Sequence, residues 1–124
     1  MKPITLLIVD QDKTSRLLLE ETIRLAYEGI WHPEIISAED DKEVFHLLEK
    51  HDIDLVITEI RLNENDGLRL TQSIKSQYPQ LKVIIQTGAV TDHLEKQIKI
   101  YGADGYIKKP IDIQIFSKKL REFF

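Results

Sequence analysis

Asp10, Glu59, Thr87 and Lys109 each stand at or just beyond the end of a short apolar run: Ile4–Val9, Leu55–Thr58, Val83–Ile85 and Tyr106–Ile107. Two carboxylates, a hydroxyl and an ammonium are the groups that hold a cation or a phosphoryl oxygen, or that neutralise one another. A carboxylate closing a buried strand is costly unless a cation meets it, and Lys109 is the expected partner of Glu59. Each residue also has a plainer role taken singly. Asp10 suits an Asx-turn or cap, Thr87 a loop hydroxyl and Lys109 a solvated base. Their recurrence at successive strand ends is what marks a candidate site.

The elements that must position them follow from the pattern of the chain. Ile4–Val9 is β-branched and apolar, as a strand buried on both faces would be. Leu18, Thr22 and Leu25, with Leu19, Ile23 and Ala26 beside them, keep helical spacing up to Gly29 and Pro33. A strand near Ile35–Ser37 precedes Asp40, which with Glu43 forms a capping pair ahead of the stripe Val44, Leu47 and Leu48. Leu55–Thr58 is the clearest strand and runs into Glu59; a polar loop with the turn pair Asp66-Gly67 follows. Leu70, Ile74 and Tyr78 mark a helix stopped at Pro79, and Val83–Ile85 a strand closed by Thr87-Gly88. Asp92 and Glu95 read as a capping pair before Leu94, Ile98 and Tyr101, with Gly102 ending that helix. Tyr106–Ile107 is a fifth strand broken at Lys109-Pro110, and Phe116, Leu120 and Phe123 stripe a final helix.

Alternating strands and helices pair in parallel through right-handed crossovers. The expected fold is therefore a three-layer α/β/α sandwich, a single domain over residues 1–124. Ligands of such sheets bind beyond the carboxyl ends of the strands, where these four residues lie.

Composition narrows the function. The 124 residues are 42% hydrophobic and 31% charged with a net charge of −4, which suits one soluble, cytoplasmic domain. Without cysteine there is neither a disulfide framework nor a thiolate metal site. No apolar run is long enough for a spanning helix or signal segment, so no membrane association is expected. Acids outnumber bases 16 to 7 in residues 1–66, and bases outnumber acids 10 to 5 thereafter. Lys96, Lys99, Lys108, Lys118, Lys119 and Arg121 give the second half a basic character. Lacking an aromatic platform or a recognition-helix pattern, they read as a solvated face rather than a nucleic-acid surface.

The ordered set Leu6–Asp10, Asp54–Glu59, Asp66-Gly67, Thr87-Gly88 and Gly102–Pro110 resembles the receiver domain of bacterial response regulators over nearly the whole chain. That resemblance implies a flavodoxin-like sheet of order 2-1-3-4-5. It also implies an aspartate, at the position of Glu59, that accepts a phosphoryl group from a histidine kinase with Mg²⁺ held by an acidic pair. The equivalents of Thr87 and Lys109 contact the phosphoryl oxygens, and an aromatic at the position of Tyr106 changes rotamer to remodel the face of the fourth helix, fifth strand and fifth helix. By this resemblance the chain is not an enzyme.

Two departures from that pattern matter. Glu59 is one methylene longer than aspartate, which carries its carboxylate about 1.5 Å further out. A misplacement near 1 Å costs in-line chemistry roughly 100-fold. Gln11 stands where the second metal-binding acid belongs, so Mg²⁺ held by Asp10 and Glu59 should be weakened; Asp12 either compensates or caps the first helix. The expected protein is a phosphorylation-independent interaction module, engaging a histidine kinase, a downstream effector or a second copy of itself. Tyr106, Ile100, Tyr101 and Ile113 are expected on or near that face. Two rivals remain. One is an Mg²⁺-dependent receiver with Glu59 or Asp12 as acceptor. The other is a haloacid-dehalogenase-type phosphatase, for which Asp10-Gln11-Asp12-Lys13-Thr14 fits the D-x-D-x-T motif but no adequate acidic motif follows Lys109. Trp31 and His32 carry no assigned role.

Overall fold

The computed structural model describes residues 3–27, 32–62 and 66–123; Gly29 and Trp31 lie outside them. Five strands alternate with five helices: β1 (Thr5–Val9), α1 (Lys13–Ala26), β2 (Glu34–Ala38), α2 (Asp41–Lys50), β3 (Leu55–Glu59), α3 (Gly67–Gln77), β4 (Lys82–Thr87), α4 (Asp92–Ile100), β5 (Gly105–Lys108) and α5 (Ile113–Phe123). The strands form one parallel sheet in the order β2-β1-β3-β4-β5. This is the flavodoxin-like arrangement, with its switch point between β1 and β3.

Period-two alternation divides the core. Leu6 and Ile8 of β1, Leu55 and Ile57 of β3 and Ile84 of β4 face α1 and α5, where Leu19, Ile23, Phe116 and Leu120 cover them. Leu7, Val9, Val56 and Val83 face the other way, onto Val44 and Leu48 of α2 and Leu70 and Ile74 of α3. Burial on both faces explains the unbroken apolar strands.

The first helix differs from its sequence reading in one respect. Leu17, Leu18 and Leu19 are consecutive, and a helix turns about 100° per residue, so only one of them can meet the sheet. Leu19 does, whereas Leu17, Leu18 and Leu25 remain exposed.

Helix starts are set by polar caps. The side chains of Asp12, Asp40, Asp66 and Thr91 accept from the backbone N–H of Thr14, Glu43, Arg69 and Leu94. Thr91 thus replaces Asp92 as the cap of α4, leaving Asp92 and Glu95 in the first turn, where their charge suits the helix dipole. Asp112 holds the start of α5, accepting from Gln114 N and Ile115 N. Gly102, at φ 92°, ends α4 in a conformation that favours glycine. At the opposite end of the sheet from the candidate residues, Asp104 accepts from Val83 N and pairs with Lys75 at 2.7 Å. That is the structural use of the Gly102–Pro110 segment's aspartate. Among the described residues, no helix is long and apolar enough to cross a membrane.

Candidate functional site

β1 and β3 are neighbours in the sheet, and both stop at the same edge. Their terminal carboxylates, from Asp10 and Glu59, are therefore brought side by side. Asp10 is buried, and its Oδ1 accepts from Asp12 N at 2.9 Å. Glu59 follows Thr58 at the end of β3 and is partly buried. Lys109 comes from the far side of β4, just after β5, where its backbone N–H donates to Thr87 O at 2.8 Å. A parallel strand order of 3-4-5 makes that reach possible, because the lysine stem has only one strand to cross.

The ammonium of Lys109 forms an ion pair with Glu59 Oε2 and lies 3.7 Å from Asp10 Oδ2. It also donates to Ser15 Oγ at 3.0 Å. One cation thus serves two carboxylates of low exposure. Arg16 supplies a second positive charge: its Nη1 donates to Asp10 O at 2.7 Å, and its Nη2 approaches Glu39 at 3.6 Å. Lys109 and Arg16 thus set two cations against the carboxylates of Asp10, Glu59 and Glu39.

The remaining candidates are placed as follows. Gln11 and Asp12 are exposed, and the Asp12 carboxylate is committed to Thr14 N at 3.0 Å as the α1 cap. Thr87 is buried, but its hydroxyl is engaged in its own loop, donating to Ala89 O at 3.1 Å and accepting from Ala89 N at 3.4 Å. The hydroxyl is thus turned into its own loop, and the tie between Thr87 and Lys109 is through the backbone alone, Lys109 N–H to Thr87 O. Tyr106 is partly buried on β5 and ties three elements together. Its hydroxyl donates to Glu95 Oε1 of α4, and Lys119 Nζ of α5 lies 5.6 Å from its ring centroid. The hydrogen bond to Glu95, with lesser help from burial and from the glutamate charge, raises the phenol above its ordinary value of 10.0. Ile100 is strongly exposed and Ile113 moderately so, while Tyr101 is partly buried, all at or near the face built from α4, β5 and α5.

Sequence reasoning missed Ser15, Arg16 and Gln86. The first two sit on α1 and reach the site only because that helix begins directly over the end of β1. Their signal was faint, a polar Ser15-Arg16 pair in the first turn after an acidic loop.

Gly67 shows how tightly the β3 edge is closed. Its N–H donates to Ile60 O at 2.6 Å, and a Cβ at this position would fall 2.3 Å from Glu59 O, so only glycine fits. The close approach fixes the backbone that carries Glu59.

The chain matches the response regulator receiver domain family over residues 6–121. It is 34% identical over 113 residues to the transcriptional regulatory protein GlrR of Escherichia coli, covering 90% of this chain and 24% of that protein. It is 38% identical over 108 residues to the DNA-binding transcriptional regulator NtrC of Proteus hauseri, covering 86% of this chain and 21% of that one. The chain thus spans about a quarter or less of the length of these curated relatives. Among solved structures, the signal receiver domain of an HD domain-containing protein from Pseudomonas fluorescens superposes with a TM-score of 0.86 at 26% identity, covering 99% of this chain and 88% of that one. The chemotaxis protein CheY4 of Vibrio cholerae gives the same TM-score at 21% identity, covering 99% and 100% respectively, and so shares the fold. Receiver domains are signal-transduction modules that interact with kinases and effector domains. A parallel sheet of order 2-1-3-4-5 with acid, threonine and lysine at its carboxyl edge, matched over residues 6–121, establishes that this chain belongs to the response regulator receiver domain family.

Proposed function

We propose that this receiver domain transmits signals as a protein-interaction module without the phosphoryl cycle, Glu59 occupying the acceptor position. The observation that carries this reading is the ion pair between Glu59 and Lys109. The carboxylate is extended onto the ammonium that, in the family pattern, serves the phosphoryl oxygens. A nucleophile so engaged, and one methylene too long, is poorly aligned for in-line attack.

The residues present also fit Mg²⁺ poorly. The ion favours several hard oxygen ligands in octahedral geometry. Here Glu59 Oε2 and Asp10 Oδ2 both face Lys109, Asp10 Oδ1 is held by Asp12 N, and Gln11 supplies a neutral amide. No step of the proposed mechanism therefore runs through a metal. Asp12, the other acid that could serve as acceptor, is occupied as a helix cap.

The surface offered to a partner is the α4, β5 and α5 face, held together through Tyr106, Glu95 and Lys119. Its partner is a histidine kinase, a downstream effector or a second copy of this chain, met in the cytoplasm. A domain of this kind has no catalytic residue, and its output depends on shape alone. Backbone amide spectra test this directly. On adding acetyl phosphate with Mg²⁺, the resonances of Thr87, Glu95 and Tyr106 are expected to stay in place; concerted shifts across α4 and β5 would restore the phosphorylation switch.

A further inference from the structure

Thr14, Leu18, Glu21 and Leu25 recur along α1 at intervals of four, three and four residues, so they form one row on the helix, with Leu17 and Arg24 beside it; all six are exposed. A solvated helix face is normally polar, yet Leu17, Leu18 and Leu25 are 55%, 65% and 47% exposed. They are three of the six large hydrophobic side chains left exposed among the described residues, and the others, Ile100, Ile113 and Ile115, belong to α4 and α5. Leu18 also walls a groove of about 470 Å³ between α1 and the Lys109–Ile111 segment, which widens the apolar strip beyond the helix itself.

We propose that this face binds a second copy of the chain, α1 packing antiparallel on α1 about a two-fold axis between Glu21 and Thr22. The surface is separate from that of α4, β5 and α5, and it does not depend on the chemistry of Glu59. An antiparallel copy reverses the row, so Leu18 of each copy meets Leu25 of the other at the same spacing of about 10 Å, seven residues along a helix. The charges are self-complementary in the same register. Glu21 of one copy lies about 3 Å along the axis from Arg24 of the other, two residues of helical rise. Glu21 forms no ion pair with the described residues. Arg24 gives its Nη2 to Glu20 at 2.9 Å and, at 50% exposure, keeps further N–H groups for a second carboxylate. The two Glu21 side chains approach each other near the axis, and Arg24 from either copy offsets their repulsion. This match of the row to its own reverse selects a second copy as the occupant. One helix face supplies well below the roughly 800 Å² per partner of a stable interface, so the association is weak.

Sedimentation velocity of the full chain at rising concentration, up to about 1 mM in low salt, tests this. The coefficient is expected to climb toward that of a dimer. Leu18→Gln and Leu25→Gln keep a good helix former and are each expected to weaken association roughly tenfold, because every substitution counts twice at a two-fold interface. Glu21→Arg and Arg24→Glu are each expected to weaken it roughly fivefold. An equimolar mixture of those two variants is expected to recover the wild-type association, since the mixed pair again sets opposite charges face to face. Circular dichroism checks that each variant is folded. A wild type that stays monomeric throughout, association untouched by the leucine variants, or a mixture no stronger than its components would each overturn the assignment, the last by pointing to a different face or to a partner of unrelated sequence.

Discussion

Replacing Lys109 with methionine isolates the contribution of one ammonium, because the new side chain keeps the apolar stem that borders the α1 groove. The variant leaves Asp10 and Glu59 facing each other with side-chain exposures of only 3% and 15%. Stripping a partner from a fully buried pair costs about 3–5 kcal/mol, whereas a fully exposed pair is worth about 0–1 kcal/mol. At 31% exposure Lys109 lies between these limits, so a loss of about 2 kcal/mol at pH 7 is expected. With a urea dependence near 2 kcal/mol per molar, the unfolding midpoint followed by circular dichroism should fall by roughly 1 M. Adding Glu59→Gln should recover roughly half of the loss at pH 7, the signature of a coupled pair. An unchanged midpoint, or a double variant no better than Lys109→Met alone, would refute the idea that this cation holds the two acids.

Gly67→Ala should lower stability by about 2–4 kcal/mol in the same urea experiment, because its Cβ meets Glu59 O at 2.3 Å and backbone must move; a neutral result would mean the loop has slack. Glu95→Gln should return Tyr106 ionisation, read from its ring resonances, toward 10.0 by removing the carboxylate that accepts its proton. Tyr106 and Tyr27, the latter raised to about 12 by burial, stabilise the fold as neutral phenols. That stability is fully present below pH 10 and is lost as pH rises through the raised values, so alkaline unfolding should begin above pH 10.

The sheet could be anticipated because strands buried on both faces are uninterrupted apolar runs, and β1, β3 and β4 obey this closely. The meeting of Glu59 with Lys109 was also legible, since a carboxylate at a buried strand end calls for a cation and the parallel order leaves few within reach. Ser15 and Arg16 were not legible: the Ser15 to Lys109 bond joins residues 94 apart, and nothing in local spacing encodes it. Gln86 looked like one polar interruption before Thr87; only the packing of α1 over β4 shows an amide buried without a donor. On α1, helical spacing alone could not choose between the Leu18 and Leu19 sides, because both keep the period. The sheet's position selects Leu19 and leaves Leu18 as the wall of a groove. The family role of the Thr87 equivalent, contact with phosphoryl oxygens, implies an outward hydroxyl, whereas here the Gly88-Ala89 turn takes it up locally.

Whether Glu59 can carry a phosphoryl group is decided most directly by the intact mass of the protein after incubation with acetyl phosphate and Mg²⁺, beside a Glu59→Asp variant. An unmodified wild type with an adduct appearing in Glu59→Asp is the expected pattern, since shortening the side chain withdraws the carboxylate from Lys109 and restores the acceptor geometry. A stoichiometric adduct on the wild type that disappears in Glu59→Gln would contradict the account.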